Sequence, residues 1–404
     1  MGKCKSVLVL TTSFPLESSI AFGSFVFEKC RHLIKEGLQV KVIAPHHMGA
    51  KKRAVIDGIK INRFQYFFPA KFQMLAYRAG IPTNIRTSYL AKIQLPFFLF
   101  SFFVATVKEA RHYDILHCHW SIAGLIGIVA AKIYKKKIVL MMHGAEVFVL
   151  GNHPILRWIL RNVDFLICNS SFTEKKTLAV YPVKHHVVIA PGVDIHRYYP
   201  QNKTFELRKS LNISEADIFI LTIGNFIPRK GFEYLIEALN IIVNQKGIAN
   251  IKLGIGGRGP LKSKYEGLIK NYSLIDNTIF LGFINDHQMP AYYTLADIFV
   301  LPSIVDGRGD TEGLGVVLLE ANACKTPIIG SRVGGIPDII QDGVNGLTCE
   351  QKNPVDLAEK IIKLADNKNL REQMGENGRK IIKDQFNWER IAKRIIRIYD
   401  SGLR

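Results

Sequence analysis

Short runs of Val, Ile and Leu alternate with helix-period segments along nearly the whole chain, and this alternation limits the available folds more than any single motif does. "SVLVL" (6–10) leads through a loop to "SFVFEKCRHLIKEG" (24–37), whose apolar spacing is helical and which stops at Gly37. Strand-like runs recur at 39–45, 113–120, 137–144, 163–170 and 186–194. Helical patterns lie at 122–134 and after Ser170 or Ser171, either of which can cap the helix that follows. A polar stretch at 195–215 is expected to be a linker, and the pattern then restarts. Strands are expected at 218–226, 251–257, 278–284, 296–303, 326–331 and 345–350, and helices at 231–245, 261–272 and 314–325. Repeated strand–helix–strand units require a parallel sheet covered on both faces. A chain of 404 residues exceeds one comfortable core. The expected fold is therefore α/β, two doubly wound parallel-sheet domains facing a central cleft. Periodicity alone assigns no neighbour to the last helical stretch, 387–402.

The net charge of +20 is unevenly placed. Residues 1–199 hold 27 Lys+Arg against 10 Asp+Glu, whereas residues 200–404 hold 27 against 24. A basic half suits nucleic acid, anionic lipid headgroups or a phosphorylated substrate. No zinc-finger spacing, RNP-like pair or basic reader helix is present, which argues against nucleic acid. The Phe-rich run "IQLPFFLFSFFVATV" (93–107) falls short of the roughly 20 apolar residues a spanning helix needs. Nearby, "FQYFFPAKFQMLAYRAG" (64–80) and "KKR" (51–53) set Phe and Tyr among cations, as an interfacial segment on a charged bilayer does. A buried core helix is the other reading of 93–107, and 64–80 is expected at the surface or against an acceptor. Six cysteines are scattered without a CxxC pair, which points to a reducing compartment and excludes a disulfide scaffold. "SVLVLTTSFP" reads as strand and loop, not as a signal peptide.

No G-x-x-x-x-G-K-[ST] occurs, which excludes a P-loop, and the loop after the first strand has one glycine, Gly23, where a dinucleotide fingerprint needs three. "GIGGRGP" (254–260) starts like such a fingerprint but turns through Pro260. Ligands of parallel sheets sit beyond the carboxyl ends of the strands, and several unusual residues fall there. Gly224 and Asn225 end one strand, and Arg229, Lys230 and Gly231 open the next helix, an arrangement suited to a diphosphate. The bend Gly256–Gly259, with Arg258, admits close approach of a ligand. Amides of Gly313, Leu314 and Gly315 are expected at a helix start beside Glu312. Glu320 follows about two turns later, among apolar residues, and a buried Glu needs a partner such as the two hydroxyls of a ribose. His143 ends a strand, placed to donate to a sugar hydroxyl or a developing charge. His117 and His119 share one strand face without a third convergent ligand, so they read as core or supporting residues and no metal site is assigned.

These residues carry a resemblance. From "TTSFPLESSIAFGSFVFEKCRHLIKEG" through "NWERIAKRIIRIY" the chain resembles the retaining glycosyltransferases of family 4, which have the two-domain GT-B architecture, and "EGLGVVLLEANACKTPIIGSRVGGIPDII" matches their E-x7-E motif. The resemblance implies that Glu312 reaches the donor hexose, Glu320 holds the ribose and Lys230 binds the diphosphate. It places His143, in "HGAEVF", near the transferred sugar, and Gly23 with its loop near the phosphates. His143, Glu312 and Lys230 are thus the expected catalytic set, with Gly23, Asn225, Arg229, Arg258, Gly313, Leu314, Gly315 and Glu320 around the donor. Residues 1–199 are expected to bind acceptor and 200–384 the nucleotide sugar, with a helix at about 385–404 packing back on the first domain. Three positions depart from the family: Asn225 replaces an arginine, "GGRGP" puts Arg258 at an acidic position, and Glu146 stands where Asp is frequent. Arg229 and Arg258 are the candidates to supply the missing cation.

The implied activity is hexose transfer with retention, needing no cofactor or catalytic metal, from a UDP-hexose in preference to a GDP-hexose. Neither Glu is assigned as a covalent nucleophile. The basic, Phe-rich first half suggests a lipid-linked or glycolipid acceptor in polysaccharide or glycolipid synthesis. It also suggests a cytoplasmic enzyme held peripherally on an anionic surface, the inner face of the cell membrane. The alternatives are a sugar-nucleotide 2-epimerase of similar fold and a non-catalytic membrane-surface binding module.

Overall fold

In the computed structural model, which describes residues 4–16, 23–77, 80–202 and 204–401, the β-branched runs form two sheets in two separate units. The first sheet contains β1 (Ser6–Leu10), β2 (Gln39–Pro45), β3 (Arg53–Ile56), β4 (Ile59–Phe64), β5 (Ile115–His119), β6 (Lys137–Met142), β7 (Phe165–Cys168) and β8 (His186–Val188). Their order is β3-β4-β2-β1-β5-β6-β7-β8. Every neighbouring pair is parallel except β3 and β4. Both central strands, β1 and β5, are buried along their whole length, as strands covered by helices on both faces must be. The expected all-parallel sheet therefore ends in an antiparallel hairpin. Its Asp57-Gly58 turn has positive φ at both residues (47° and 78°), the type I′ geometry that matches strand twist.

The second sheet contains β9 (Ile218–Ile223), β10 (Ile251–Gly256), β11 (Thr278–Gly282), β12 (Ile298–Leu301), β13 (Ile328–Ser331) and β14 (Gly346–Cys349), ordered β11-β10-β9-β12-β13-β14 and parallel throughout. In each sheet the chain adds strands first to one side and then to the other. The direction of winding reverses between β1 and β5 and between β9 and β12. Loops leaving the carboxyl ends of two such strands diverge and leave room for a ligand.

One unit is Met1–Pro191 with Trp388–Arg404, and the other is Gly192–Asn387, so the boundary falls before the expected 199/200. The reason is local: Val193 N–H donates to Phe386 O (2.8 Å), and Arg379 donates to Ile195 O (3.1 Å). Residues 195–215 are not a free linker, since Tyr198 is buried and Phe205–Ser210 is helical. The last helix, Trp388–Asp400, buries Trp388, Ile391, Ala392, Ile395 and Tyr399 in the first unit's core, against the helix Ser24–Lys35. With that helix included, the first unit holds 31 Lys+Arg against 11 Asp+Glu, and the second holds 23 of each.

The Phe-rich run lies in a single helix, Tyr89–Ala110, of 22 residues. That is long and apolar enough to cross a bilayer, which corrects the expectation that the run is too short. The helix is nevertheless built into its unit. Ala91, Phe98, Phe102 and Ala110 are buried, and buried Gln94 accepts from the Met74 and Leu75 amides (2.9 and 3.2 Å) while donating to Phe72 O (2.5 Å). Its other face leaves Tyr89, Ile93, Phe97 and Phe100 exposed. Residues 64–80 divide likewise: Phe68 and Phe72 are exposed, but Phe64, Tyr66, Leu75, Ala76 and Tyr77 are core. The surface expectation thus holds for only part of that segment.

Candidate active site

Beyond β9 and β12, at the second unit's switch point, three charged side chains meet. Arg229 and Lys230 occupy a short 3-10 turn, Pro228–Lys230, that precedes the helix Phe232–Asn240. Lys230 Nζ donates to Glu312 Oε2 at 2.5 Å, and Arg229 Nη1 reaches the same oxygen at 3.1 Å. Ser303, just after β12, lies 3.5 Å from it, and Arg229 is shared with Asp310 (3.5 Å). The Glu312 backbone is pinned by the Gly335 amide, which donates to its carbonyl (3.0 Å). Burial pushes the Glu312 carboxyl up, but Lys230 and Arg229 outweigh it and bring the pKa down to about 2. The carboxylate is therefore ionised at neutral pH, with both cations aimed at it.

Gly315 caps the helix Val316–Ala323, and Glu320 lies on that helix. Its Oε2 accepts from Tyr293 OH at 2.7 Å, and Tyr198 is a second hydroxyl partner. Burial dominates here and raises the carboxyl to about 7, so near neutrality Glu320 is close to half protonated. The motif's two carboxylates thus sit in opposite environments, one neutralised by cations and one faced by phenols.

The first unit carries its own cluster at the carboxyl ends of β5 and β6. His143 Nε2 lies 3.0 Å from His119 Nδ1, whose other ring nitrogen is 3.3 Å from Lys29 Nζ. Lys29 is 1% exposed and faces Met141 Sδ and His119, and burial lowers its pKa to about 7. When Lys29 is an ammonium it only donates, and His119 Nε2 accepts from it. Neutral His119 then donates through Nδ1 to His143 Nε2, which leaves the proton of neutral His143 on its Nδ1. Burial holds both histidines well below the usual imidazole range. Phe25 and Trp120 flank the His143 ring, each 4.8 Å from it, and the Glu146 carboxylate accepts from the His143 amide at 3.2 Å. His117 stacks on His119 (5.0 Å) and hydrogen-bonds Tyr399 of the last helix. The His117/His119 pair therefore supports His143, and among the described residues no group of three His, Cys, Asp or Glu is set to hold a metal ion.

The other expected donor residues are more dispersed. Asn225 is exposed in the loop after β9, and Arg258 is exposed over the Phe283 ring (4.9 Å). Of the two arginine candidates, Arg229 is the one gathered to Glu312. Gly313, Leu314 and Gly315 approach the helix start as expected, with Leu314 buried. Gly23 caps the helix Ser24–Lys35 at φ 71°, where a Cβ would stand 2.6 Å from Ser13 O, so its local backbone alone demands glycine. The adjoining loop residues 17–22 lie outside the described residues. Tyr293, Tyr198, Asp310 and Lys29 were not foreseen. Only Lys29 left a clear sequence signal, as a cation on the apolar stripe of Val26, Cys30 and Leu33.

Comparison with known proteins gives the family. Residues 23–197 match the family described as Glycosyltransferase Family 4, and residues 203–381 match Glycosyl transferases group 1. Over 310 residues the chain is 32% identical to the N-acetyl-alpha-D-glucosaminyl L-malate synthase of Bacillus anthracis, covering 74% of this chain and 78% of that one. It belongs to the glycosyltransferases of the GT-B fold. This glycosyltransferase is also 29% identical, over 64% of its length and 68% of the relative, to the GDP-mannose-dependent alpha-(1-6)-phosphatidylinositol monomannoside mannosyltransferase of Mycobacterium tuberculosis. Among solved structures, the sucrose-phosphate synthase from Thermosynechococcus elongatus shares the fold at TM-score 0.78 and 22% identity, covering 98% of this chain and 99% of that one. The family assignment displaces the epimerase and the non-catalytic binding module as readings.

Proposed function

We propose that this glycosyltransferase moves a hexose from a nucleoside-diphosphate sugar to a hydroxyl of a lipid-linked acceptor, with retention, at the anionic inner face of the cell membrane. The observation that carries this is the convergence of Arg229, Lys230 and Glu312 at the second unit's switch point, with Glu320 on the helix beyond. Two cations suit a diphosphate, the ionised Glu312 suits a sugar hydroxyl, and Glu320 suits a ribose diol. When a diphosphate takes up Lys230 and Arg229, Glu312 is released to accept from the sugar. As the anomeric bond breaks, charge grows on the leaving diphosphate, where the same cations stabilise it. In the first unit, His143 is the hydrogen-bond partner for the acceptor hydroxyl. On this reading the second unit binds donor and the first binds acceptor.

The lipid acceptor is supported by the mycobacterial relative's name and by the first unit's surface. There Phe68, Phe72, Ile93, Phe97 and Phe100 are exposed, and exposed Lys71, Arg86 and Lys92 lie on the same segments. The Bacillus relative's name supports a second reading, a small hydroxy acid as acceptor. The decisive experiment is thermal protection by UDP, GDP, ADP, UDP-hexoses and GDP-mannose, since a ligand bound only by the folded state raises its stability. One nucleotide class should protect the wild type and lose its effect in Lys230→Ala and Glu320→Ala. Absence of protection by every one of them would overturn the donor assignment.

A further inference from the structure

Within the first unit, five helices line a cavity of about 490 Å³. They are Ile81–Thr87, Tyr89–Ala110, Trp120–Tyr134, Ala145–Leu150 and Pro154–Arg161. The volume falls in the range of roughly 300–1,000 Å³ typical of small-molecule sites. Its walls are aliphatic: Ile85, Leu95, Leu99, Ile122, Leu125 and Ile155 all face it and are only partly buried in an otherwise close-packed unit. Cores seldom leave that much apolar surface open.

The lining is not apolar all round. Ser13, Ser121, Trp120 and Glu146 also line the cavity, and two of these touch the catalytic candidate. Trp120 lies against the His143 ring (4.8 Å), and Glu146 accepts from the His143 amide (3.2 Å). Two of the polar groups thus adjoin His143, while most of the helical lining is hydrocarbon. The helix that supplies Leu95 and Leu99 also carries exposed Ile93, Phe97 and Phe100. A ligand matched to this lining has a hydroxyl-bearing polar head and a flexible hydrocarbon body.

We propose that this cavity seats the aliphatic chain of the acceptor, with the acceptor's hydroxyl end held by Glu146, Ser121 and His143. The proposal rests on the lipid-acceptor reading above and narrows it to an acceptor whose chain is recognised by the protein itself, not merely left in the bilayer. Chain length then becomes a determinant of affinity.

The test uses the full chain and a dansyl-labelled undecanoic acid as fluorescent probe, displaced by n-alkyl glucosides from butyl to decyl. Affinity should rise about fourfold per added methylene and level off once the cavity is full. Leu99→Trp and Ile122→Trp, which fill it from two different helices, should each weaken probe binding more than tenfold, while Leu99→Met should not. Binding that is independent of chain length, or unchanged in both Trp variants, would overturn the proposal. Thermal protection by nucleotide is measured in the same variants and reports separately on the second unit. Alkyl binding therefore decides the cavity and nucleotide protection decides the donor reading, and each can fail without the other.

Discussion

Lys230 and Glu312 hold one another, Nζ to Oε2 at 2.5 Å, on two loops that the sequence separates by 82 positions. The pair is almost buried, with side chains 10% and 12% exposed, and its energetics therefore differ from those of a surface salt bridge. Removing one partner strands the other in a low-dielectric site. Lys230→Ala should cost about 3 kcal/mol, the low end for a broken buried pair because Arg229 still faces the carboxylate. Transfer activity should fall by about 100-fold or more. Urea unfolding and initial-rate assays measure the two effects.

Acid should reveal the same pair. The Glu312 carboxyl is held down to about 2 in the folded protein, against an ordinary 4.5, so the unfolded state binds its proton first as pH falls. Its stabilisation is complete above pH 4.5 and is lost on descending toward pH 2. Glu312→Gln should be less stable at neutral pH and should lack this part of the acid dependence, as followed by circular dichroism.

Glu320 should report on the nucleotide in the opposite pH range. Raised to about 7, it is largely protonated in mild acid. A ribose diol donating two hydrogen bonds favours the carboxylate, so nucleotide binding should release a proton near pH 7 and weaken as pH falls below it. Calorimetry in buffers of differing ionisation enthalpy measures that proton. Glu320→Gln should abolish the release and flatten the profile.

Lys29 makes a prediction about stability and one about chemistry. Its folded value of about 7 lies below the ordinary 10.5, so the unfolded state binds more protons between these limits and stability should rise with pH from about 7 to about 10.5. Lys29→Met should remove that rise. By releasing the tautomer of His119 it should also lower kcat more than it changes the donor KM. A Lys29→Met enzyme with an unaltered pH–rate profile would show that the lysine does not act through His143.

The last helix should behave as part of the first unit. Ile395 is fully buried in the core beside Val7, Val40 and Val139, so Ile395→Ala should cost about 2–5 kcal/mol. The loss should appear in urea unfolding while protection by nucleotide, which the proposed function assigns to the second unit, persists.

Much of this protein was legible in one dimension because the signals are local. Strands buried on both faces read as continuous aliphatic runs, and their spacing by helical segments foretold both sheets. The Asp57-Gly58 turn between alternating runs is an equally local signal for the hairpin. The E-x7-E spacing, the Arg229-Lys230 pair and the strand-end His143 were likewise visible as residue types at strand ends.

What the tertiary structure alone decided is which groups share a dielectric environment. Glu312 and Glu320 are chemically identical in the sequence. Packing sets two cations on one and two phenols on the other, so the first titrates at about 2 and the second at about 7. Which arginine joins Glu312 and which helices leave a cavity beside Glu146 depend on contacts between distant segments. The return of residues 388–404 to the first unit depends on such contacts as well. Periodicity determines which face of an element is apolar, but the neighbour that covers that face, and the charge that faces a carboxylate, exist only once the chain has closed on itself.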